Sequence, residues 1–222
     1  MRIGLLGTGK TGGRVIDILG EENVVAFNES NKPSLEKLQQ CDVAISFLPG
    51  PGLMEYLDLL IESKVPLATG STGFVWPESV DSRLKQNQVA WVTASNFSLG
   101  MNLIYGMIKV LSKTPLLFDD FEFKMHEIHH IHKKDQPSGT SLSWEKWLGR
   151  KVDITSSREG DNPGEHKLTL VTAYEDIVLE HKAKDRKIFA EGAIWTAKKL
   201  ADGSIEPGLH NLQDIMQKEL EL

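Results

Sequence analysis

The fold of this chain is decided by residues 3–19, which read IGLLGTGKTGGRVIDIL. Four apolar residues predict a short strand, a glycine-rich loop follows at once, and the apolar spacing from Arg14 to Leu19 predicts a helix. This order of strand, glycine loop and helix is the context that a dinucleotide-binding fingerprint requires. Gly7 permits the tight turn, Gly9 lets backbone N–H groups approach a pyrophosphate, and Gly12 lets the helix pack closely on the strand. The helix N-terminus then faces the anion.

Further apolar strands follow in the first half of the chain, separated by helical or turn sequence. The predicted strands are Val24–Phe27, Asp42–Leu48, Pro66–Thr69 and Val89–Ala94, and the predicted helices are Leu35–Gln40 and Leu53–Ser63. Strands this uniformly apolar, alternating with helices, are typical of a parallel sheet that is covered on both faces. We therefore expect an α/β protein with an N-terminal Rossmann-type parallel sheet domain.

Ligands of an open parallel sheet bind outside the carboxyl ends of its strands, and four loops leave those ends. They begin at Gly7, Phe47, Gly70 and Ser95. Backbone could approach a nicotinamide and a substrate closely near Gly70; a plain turn there, and a core position for Phe47, are the alternatives. The candidate cofactor-binding residues are Gly7, Thr8, Gly9, Lys10, Thr11, Gly12, Glu29, Phe47, Gly70, Ser71, Thr72, Ser95, Asn96 and Phe97.

Glu29 follows the second predicted strand, 17 residues after Gly12. An acidic residue near this position binds the adenosine ribose hydroxyls of NAD. Glu29 therefore favours NADH, because its carboxylate would repel a 2′-phosphate. Asn28 competes for the ribose, Lys32 or Lys10 could reach a phosphate, and Glu29 could simply be a solvated turn residue. The cofactor is thus NADH or NADPH.

Composition excludes several classes of protein. With 222 residues, 40% of them hydrophobic and 25% charged, the chain is typical of globular proteins. Its formal charge of −6 and its lack of a Lys/Arg block argue against nucleic-acid binding. The single Cys41 cannot form an internal disulfide, which indicates a reducing compartment. The apolar run at the start is too short for a signal peptide, so we expect a cytoplasmic protein without a membrane partner.

The second half of the chain follows a different pattern. Met101–Ser112 predicts a long apolar helix, and residues 121–126 alternate apolar and polar, as in a strand with one covered face. A long strand region at His166–His181 follows. These features predict a second, smaller α+β domain with an open mixed sheet.

Most of the titratable chemistry lies in residues 127–140, which read EIHHIHKKDQPSGT. A period of two would place Glu127 and His129 on the covered side of the strand, with His130 opposite as long as the strand continues. A Pro-Ser-Gly turn then precedes a helix that begins near Gly139-Thr140. Backbone N–H groups at that helix N-terminus suit a carboxylate.

Three interpretations of these histidines compete. One is a metal site, but zinc ligands are usually spaced on regular elements, and three histidines in four residues would need an unusual loop. A solvated cluster without chemical consequence is the second. Histidine as a general acid, beside lysines that bind an anionic substrate, fits better. We therefore expect proton chemistry and no metal.

The segment from Glu127 to Thr140 closely resembles the signature of the dihydrodipicolinate reductases, the 4-hydroxy-tetrahydrodipicolinate reductases of diaminopimelate and lysine biosynthesis. The matching positions are Glu127-Ile128-His129-His130, Lys133, Asp135 and Pro137-Ser138-Gly139-Thr140. The resemblance spans nearly the whole chain, through the N-terminal glycine loop, Asp42–Phe47, Gly70–Phe74, Asn96–Ser98, Gly164–His166, His181–Ala183, Arg186 and Phe189-Ala190.

This resemblance implies reduction of 4-hydroxy-tetrahydrodipicolinate to tetrahydrodipicolinate by NADH or NADPH. It implies that His129 is the general acid and that Lys133 is its cationic partner and also binds substrate. His130, Gly139 and Thr140 would hold the substrate carboxylates.

The resemblance also implies a homotetramer and a division of the chain into three segments. Residues 1–98 would form the dinucleotide-binding domain and residues 99–186 the domain for substrate binding and tetramerisation. Residues 187–222 would return to the first domain, with a helical stripe of Leu209, Leu212, Ile215 and Met216.

Two positions depart from the family pattern. Lys10 stands where the family commonly has glycine, and Leu48-Pro49 replaces more polar residues, so the cofactor preference stays open. The chain is also short for the family, which implies trimmed loops in the substrate domain. Two alternatives remain: another NAD(P)-dependent reductase or dehydrogenase of a small acidic substrate, and a catalytically inactive nucleotide-sensing protein.

Overall fold

The computed structural model describes residues 1–221. The chain forms two compact units. The first unit contains Met1–Leu99 and the segment from Lys187 onward, and the second unit contains Gly100–Arg186. The roles expected for residues 1–98, 99–186 and 187–222 stay predictions.

The first unit is built on a six-stranded parallel sheet. Its strands are β1 (Ile3–Leu6), β2 (Val24–Phe27), β3 (Val43–Ser46), β4 (Leu67–Thr69), β5 (Ala90–Thr93) and β10 (Gly208–Asn211). Their order across the sheet is β10-β5-β4-β3-β1-β2, and every neighbouring pair is parallel. The strand order reverses next to β1, which is where sheets of this kind bind their ligands.

Helices cover both faces of this sheet. They are α1 (Gly12–Leu19), α2 (Leu35–Leu38), α3 (Gly50–Glu55), α4 (Leu57–Ser63), α5 (Ser79–Gln86), α8 (Lys187–Ala201) and α9 (Leu212–Glu219). Strand β1 contributes Ile3 and Leu5 to a core that includes α1 and α8, and Leu6 to a second core that includes α4 and α5. The predicted Rossmann-type sheet with two covered faces is therefore confirmed.

Two helix predictions in this unit are wrong. The helix expected at Leu53–Ser63 is two helices, because the backbone leaves the helical region at Tyr56, with φ −102° and ψ 5°. Leu209 does not join the stripe of α9. It lies in β10 and pairs with Trp91 of β5, and α9 begins only at Leu212, where the Asn211 side chain caps the helix by accepting from the amide of Gln213.

Two glycines fix the join between β1 and α1. Gly7 has φ +90°, a backbone conformation that favours glycine. A Cβ atom added at Gly12 would lie only 1.9 Å from the carbonyl oxygen of Gly7. The last glycine of the fingerprint thus allows α1 to approach the end of β1, as the sequence predicts.

The second unit is built on a four-stranded mixed sheet. Its elements are α6 (Leu99–Leu111, beginning at the last residue of the first unit), β6 (Glu122–His129), α7 (Gly139–Leu148), β7 (Asp153–Arg158), β8 (Glu165–Val171) and β9 (Asp176–Lys182). The strand order is β7-β6-β8-β9, with β7 parallel to β6 and the other pairs antiparallel. This arrangement confirms the predicted α+β unit with an open mixed sheet.

The alternation of β6 decides which side chains are buried. Phe123, Met125, Glu127 and His129 are buried, and the residues between them are half-buried or exposed. Helices α6 and α7 pack on the buried face, where Nε1 of the fully buried Trp144 donates to Sδ of Met101 at 3.1 Å. The predicted period of two therefore continues to His129, where the strand ends.

Other predictions for the second unit are incomplete. The strand region expected at His166–His181 is a hairpin, in which the amide of Thr172 donates to the carbonyl of Glu175 at 3.0 Å and joins β8 to β9. Strand β7 was not predicted, because its sequence DITSSR has no apolar alternation. Helix α5 of the first unit was also missed.

Within residues 1–221, no helix combines the length and the apolar character needed to cross a membrane.

We expect Gly12→Ala to destabilise the protein, because its Cβ would overlap the carbonyl of Gly7 and force α1 away from β1. Overpacking of this kind costs about 1–3 kcal/mol. The matched control is Gly13→Ala in the same helix, whose Cβ would meet only the carbonyl of Thr8 at 3.8 Å. Urea denaturation of both variants measures the difference, and equal stability of the two would contradict close packing at Gly12.

Candidate active site and cofactor cavities

A first cavity of about 370 Å³ lies at the carboxyl ends of β1, β2 and β3. Its lining residues are Leu6, Gly7, Thr8, Phe27, Asn28, Glu29, Lys32, Pro33, Leu48, Gly52, Glu55 and Tyr56. Three of the predicted cofactor-binding residues, Gly7, Thr8 and Glu29, are among them. This cavity therefore has the position and size for one end of a dinucleotide.

Asn28 organises the loop at this cavity. Its Oδ1 accepts from the amide and the hydroxyl of Ser30 and from the amide of Asn31, at 2.7–3.0 Å. Because this oxygen is committed to the turn, the carboxylate of Glu29 is the hydrogen-bond acceptor that the loop exposes on the cavity wall.

A second cavity of about 320 Å³ lies over the glycine loop. Its lining residues are Gly9, Lys10, Thr11, Gly12, Phe47, Leu48, Pro49, Gly70 and Thr72. A Cβ atom added at Gly9 would meet no protein atom within 4 Å, so the loop leaves open space at the N-terminus of α1. An open cradle of backbone at a helix N-terminus suits a pyrophosphate, and these residues fit a nicotinamide dinucleotide.

Four predicted cofactor-binding residues are not among those that line the two cavities. Ser71 is buried, and its hydroxyl lies 3.4 Å from that of Ser46. Phe97 is buried and packs edge-on against Phe47, with ring centroids 6.0 Å apart. Ser95 and Asn96 lie in the loop after β5, where Oδ1 of Asn96 accepts from the amide of Ser98. Their roles stay predictions.

The candidate active site in the second unit is organised around Glu127, whose side chain is fully buried in β6. Its carboxylate accepts from the amide of Ser138 at 2.9 and 3.1 Å and from the hydroxyl of Ser141 at 2.5 Å. Nη1 of Arg158 lies 3.5 Å from Oε1. Burial raises the pKa of Glu127, but hydrogen bonds from Ser138 and Ser141 outweigh burial and bring this pKa to about 2.

Glu127 thereby ties β6 to the N-terminus of α7. Ser138 is the N-cap residue, and its hydroxyl accepts from the amide of Ser141 at 3.2 Å. Gly139 and Thr140 follow at the first two helical positions, half-buried or exposed. The structure therefore brings the predicted carboxylate-binding residues to a helix N-terminus that a buried anion holds in place.

Lys133 lies in the loop between β6 and α7, and its ammonium group is paired with Asp135. Nζ lies 2.9 Å from one carboxylate oxygen and 2.8 Å from the other. The ion pair with Lys133 lowers the pKa of Asp135, and the amide of Gly139 adds to this effect. Lys133 and the α7 N-terminus thus both face the carboxylate of Asp135. A carboxylate of a bound ligand would need the same arrangement of donors.

His129 is buried at the end of β6. Its Nδ1 lies 3.8 Å from Oε1 of Glu127, and its ring packs edge-on against that of His166 at 5.0 Å. Burial lowers the pKa of His129, Glu127 raises it, and the positive charges of Lys133 and Arg158 lower it. The net effect is a lowered pKa for an imidazole that sits beside an anion and a lysine.

The other histidines of this part of the chain make different contacts. His130 follows the end of β6, is half-buried and lies near His132, with ring centroids 6.3 Å apart. His126 lies on the opposite face of β6, and its Nδ1 is 2.8 Å from the hydroxyl of Thr155. His132 is exposed.

Sequence reasoning missed His166 and Arg158 as members of the site. Nε2 of His166 lies 3.2 Å from the hydroxyl of Ser138, and burial, followed by the nearby His129, lowers the pKa of His166 to about 4. The sequence pattern indicates no role for Arg158. A buried carboxylate at Glu127 signals that a partner must exist, but the sequence does not indicate which basic residue supplies it.

Three possible metal ligands lie close together within residues 1–221. They are not the three histidines of the sequence run, because only His129 belongs to both groups. Donor atoms of Glu127, His129 and His166 all lie within 4.8 Å of one another. Both oxygens of Glu127 already accept from Ser138, Ser141 or Arg158. The carboxylate is therefore committed to protein donors.

Comparisons with a family model and with related proteins indicate the same family. A family model described as dihydrodipicolinate reductase, C-terminus, matches residues 100–216. A relative from Syntrophus aciditrophicus is 31% identical over 95% of this chain and 96% of its own length. Another from Bdellovibrio bacteriovorus is 30% identical over 97% and 96%. Both are named 4-hydroxy-tetrahydrodipicolinate reductase.

Among solved structures, the dipicolinate-bound dihydrodipicolinate reductase from Paenisporosarcina sp. TG-14 has a TM-score of 0.78 to this chain. It is 20% identical, and the alignment covers 97% of this chain and 99% of that one. A dehydrogenase from Clostridium difficile has a TM-score of 0.57 at 10% identity. Because both sequence identities are 20% or lower, these structural similarities support the fold alone.

We expect Glu127→Gln to lower the free energy of unfolding in a pH-dependent way. The pKa of Glu127 falls from 4.5 to about 2 on folding, which corresponds to about 3 kcal/mol of stability at neutral pH. A lowered carboxyl pKa contributes stability that is complete above pH 4.5 and is lost as the pH falls towards 2.

The gap in stability between the wild type and Glu127→Gln should therefore narrow between pH 4.5 and 2 in urea denaturation. Glu122→Gln is the matched control, because Glu122 is exposed on the same strand. A gap that stays constant over this pH range would contradict the buried, ionised state of Glu127.

Proposed function

Because this chain belongs to the dihydrodipicolinate reductase family, we propose that it reduces 4-hydroxy-tetrahydrodipicolinate to tetrahydrodipicolinate with NADH or NADPH. The reaction belongs to diaminopimelate and lysine biosynthesis. The observation that carries the proposal is the joint approach of Lys133 and the α7 N-terminus to one carboxylate, beside a buried histidine.

Substrate binding follows from the groups around Asp135. A substrate carboxylate would take the place of the Asp135 carboxylate at Lys133, with the amides of Gly139 and Thr140 as further donors. His130, which follows the end of β6, would contact the second carboxylate. Charge-assisted hydrogen bonds of this kind are stronger than neutral ones, so they favour a dicarboxylate over an uncharged ring.

The chemistry requires a hydride, a proton and loss of water. The reduced nicotinamide, when bound, supplies the hydride to the conjugated imine ring. The 4-hydroxyl group leaves as water together with a proton from the adjacent ring carbon, and this elimination involves no net oxidation or reduction. One hydride and one proton, which His129 donates where negative charge develops, then complete the two-electron reduction. Fixing the substrate carboxylates places the ring in a defined orientation, which can account for several kcal/mol of the barrier reduction.

We further propose that NADH is preferred over NADPH. Glu29 lines the first cavity and is exposed there, and its negative charge would repel a 2′-phosphate. Lys32 lines the same cavity and Lys10 lines the second one, so NADPH should still bind. The preference is therefore expected to be modest.

We also propose that the protein is a homotetramer located in the cytoplasm. Helices α6 and α7 cover one face of the four-stranded sheet, so the other face is available for a second copy. Val178 of β9, which pairs with Thr169 of β8, is half exposed on that face. Light scattering should give a mass four times that of one chain; a monomer would contradict this assembly.

The function is tested by following oxidation of NADH and NADPH separately with freshly generated cyclic substrate. Turnover, faster with NADH, is the expected result. Turnover of amino or hydroxy acids without turnover of the cyclic imine would favour another dehydrogenase. NADH binding without oxidation under any substrate would favour a nucleotide-sensing protein.

We expect His129→Gln to lower kcat about 10²- to 10⁴-fold, the usual contribution of a general acid, while NADH binds with unchanged affinity. Because the pKa of His129 lies below its usual 6.5, the proton donor is lost as the pH rises through that pKa. The wild-type kcat/KM should therefore fall with rising pH, and this limb should vanish in the variant. His210→Gln, a half-buried histidine of β10 in the first unit, is the control. Wild-type activity in His129→Gln would refute the assignment.

A further inference from the structure

Arg158 lies at the end of β7, directly beside His129 in the parallel pairing of β7 with β6. The two-residue period of the strands places Arg158 and Ser156 on the same face as His129 and Glu127. The Arg158 side chain is 17% exposed. A cation this enclosed needs acceptors, and the loop before α7 supplies two of them.

The guanidinium group of Arg158 faces four acceptors. Nη2 donates to the carbonyl of Asp135 at 2.6 Å, and Nε lies 3.3 Å from the carbonyl of Lys133. Nη1 donates to the carbonyl of Ser157 at 2.8 Å and lies 3.5 Å from Oε1 of Glu127. One side chain thus joins the backbone of the loop to the buried carboxylate.

We propose that Arg158 is a positioning residue that fixes the loop carrying Lys133 against Glu127, so that the lysine ammonium is held ready for a substrate carboxylate. This inference rests on the proposed function, in which Lys133 binds the substrate. Arg158 itself contacts backbone carbonyls and Glu127 rather than the Lys133 ammonium group, so it acts through the loop.

The loop has few other anchors. The amide of Ile131 donates to the carbonyl of Gly160 at 3.1 Å, and the amide of Glu159 donates to the carbonyl of His129 at 2.8 Å. Residues 131–136 are otherwise exposed or half-buried. Within the loop, the amide of Lys133 donates to the carbonyl of His130 at 3.1 Å. Arg158 adds the hydrogen bonds that join the carbonyls of Lys133 and Asp135 to β7.

Only arginine suits this role. Its donors are held in a rigid planar fork that reaches separate acceptors at once, whereas the lysine ammonium is a compact point charge. Lysine at this position would keep the positive charge near Glu127 but would lose the bonds to both loop carbonyls. Charge and positioning can therefore be separated by mutation.

The test compares Arg158→Lys with the wild type and with Arg83→Lys, a surface control in an ion pair with Asp58. For Arg158→Lys we expect the KM of the cyclic substrate to rise about 10- to 100-fold, as misplacement of a binding group allows. The rise in KM should exceed the fall in kcat, and NADH affinity should not change. Amides of residues 131–136 should exchange with deuterium about tenfold faster in the absence of substrate.

A second comparison guards against misfolding caused by an unpaired Glu127. The double variant Glu127→Gln with Arg158→Met removes both charges and is measured against Glu127→Gln alone. A further rise in KM in the double variant supports the positioning role. Unchanged KM and unchanged amide exchange in both comparisons overturn it, because Arg158 would then only neutralise Glu127.

Failure of this inference and failure of the proposed function are distinguishable. If the wild type does not turn over the cyclic substrate, the proposed function fails. Amide exchange of residues 131–136 and the affinity for pyridine-2,6-dicarboxylate then still decide the role of Arg158. If Arg158→Lys keeps both the exchange protection of the loop and the affinity for the dicarboxylate, the positioning role of Arg158 is overturned even when the wild type is inactive.

Discussion

The second unit depends on one constraint, the ionised carboxylate of Glu127 in a fully buried position. A buried charge is costly unless hydrogen bonds and an opposite charge compensate it. Compensation here comes from two segments outside β6: Ser138 and Ser141 at the start of α7, and Arg158 in β7. The carboxylate therefore fixes the relative positions of the elements that carry His129, Lys133 and the α7 N-terminus.

The titratable groups around Glu127 have different charges at neutral pH because their surroundings differ. Hydrogen bonds keep the pKa of Glu127 far below neutrality, and burial brings the pKa of His166 to about 4, so at neutral pH the first is an anion and the second is uncharged. His129 lies between them and feels burial, Glu127 and two cations. An imidazole with a lowered pKa thus lies next to a carboxylate that is ionised at neutral pH and an imidazole that is uncharged.

In each unit a helix N-terminus and a lysine provide local positive charge, although the chain as a whole carries a formal charge of −6. The first unit offers open backbone at Gly9 and the N-terminus of α1, together with Lys10. The second offers Lys133 and the N-terminus of α7, where Asp135 now lies. Backbone N–H groups at helix N-termini allow such sites without a basic surface.

The sequence alone determined the features that follow from local periodicity and loop chemistry. These are the strand, glycine loop and helix at residues 3–19, the alternation that buries Glu127 and His129, and the helix start at Gly139. Tertiary structure alone decided which strands pair, and therefore that Leu209 lies in β10 and that Arg158 of β7 lies beside His129. The reason is physical: periodicity describes how one segment exposes its faces, whereas the partner of a buried charge comes from a strand distant in sequence, and only packing of the whole unit brings the two together.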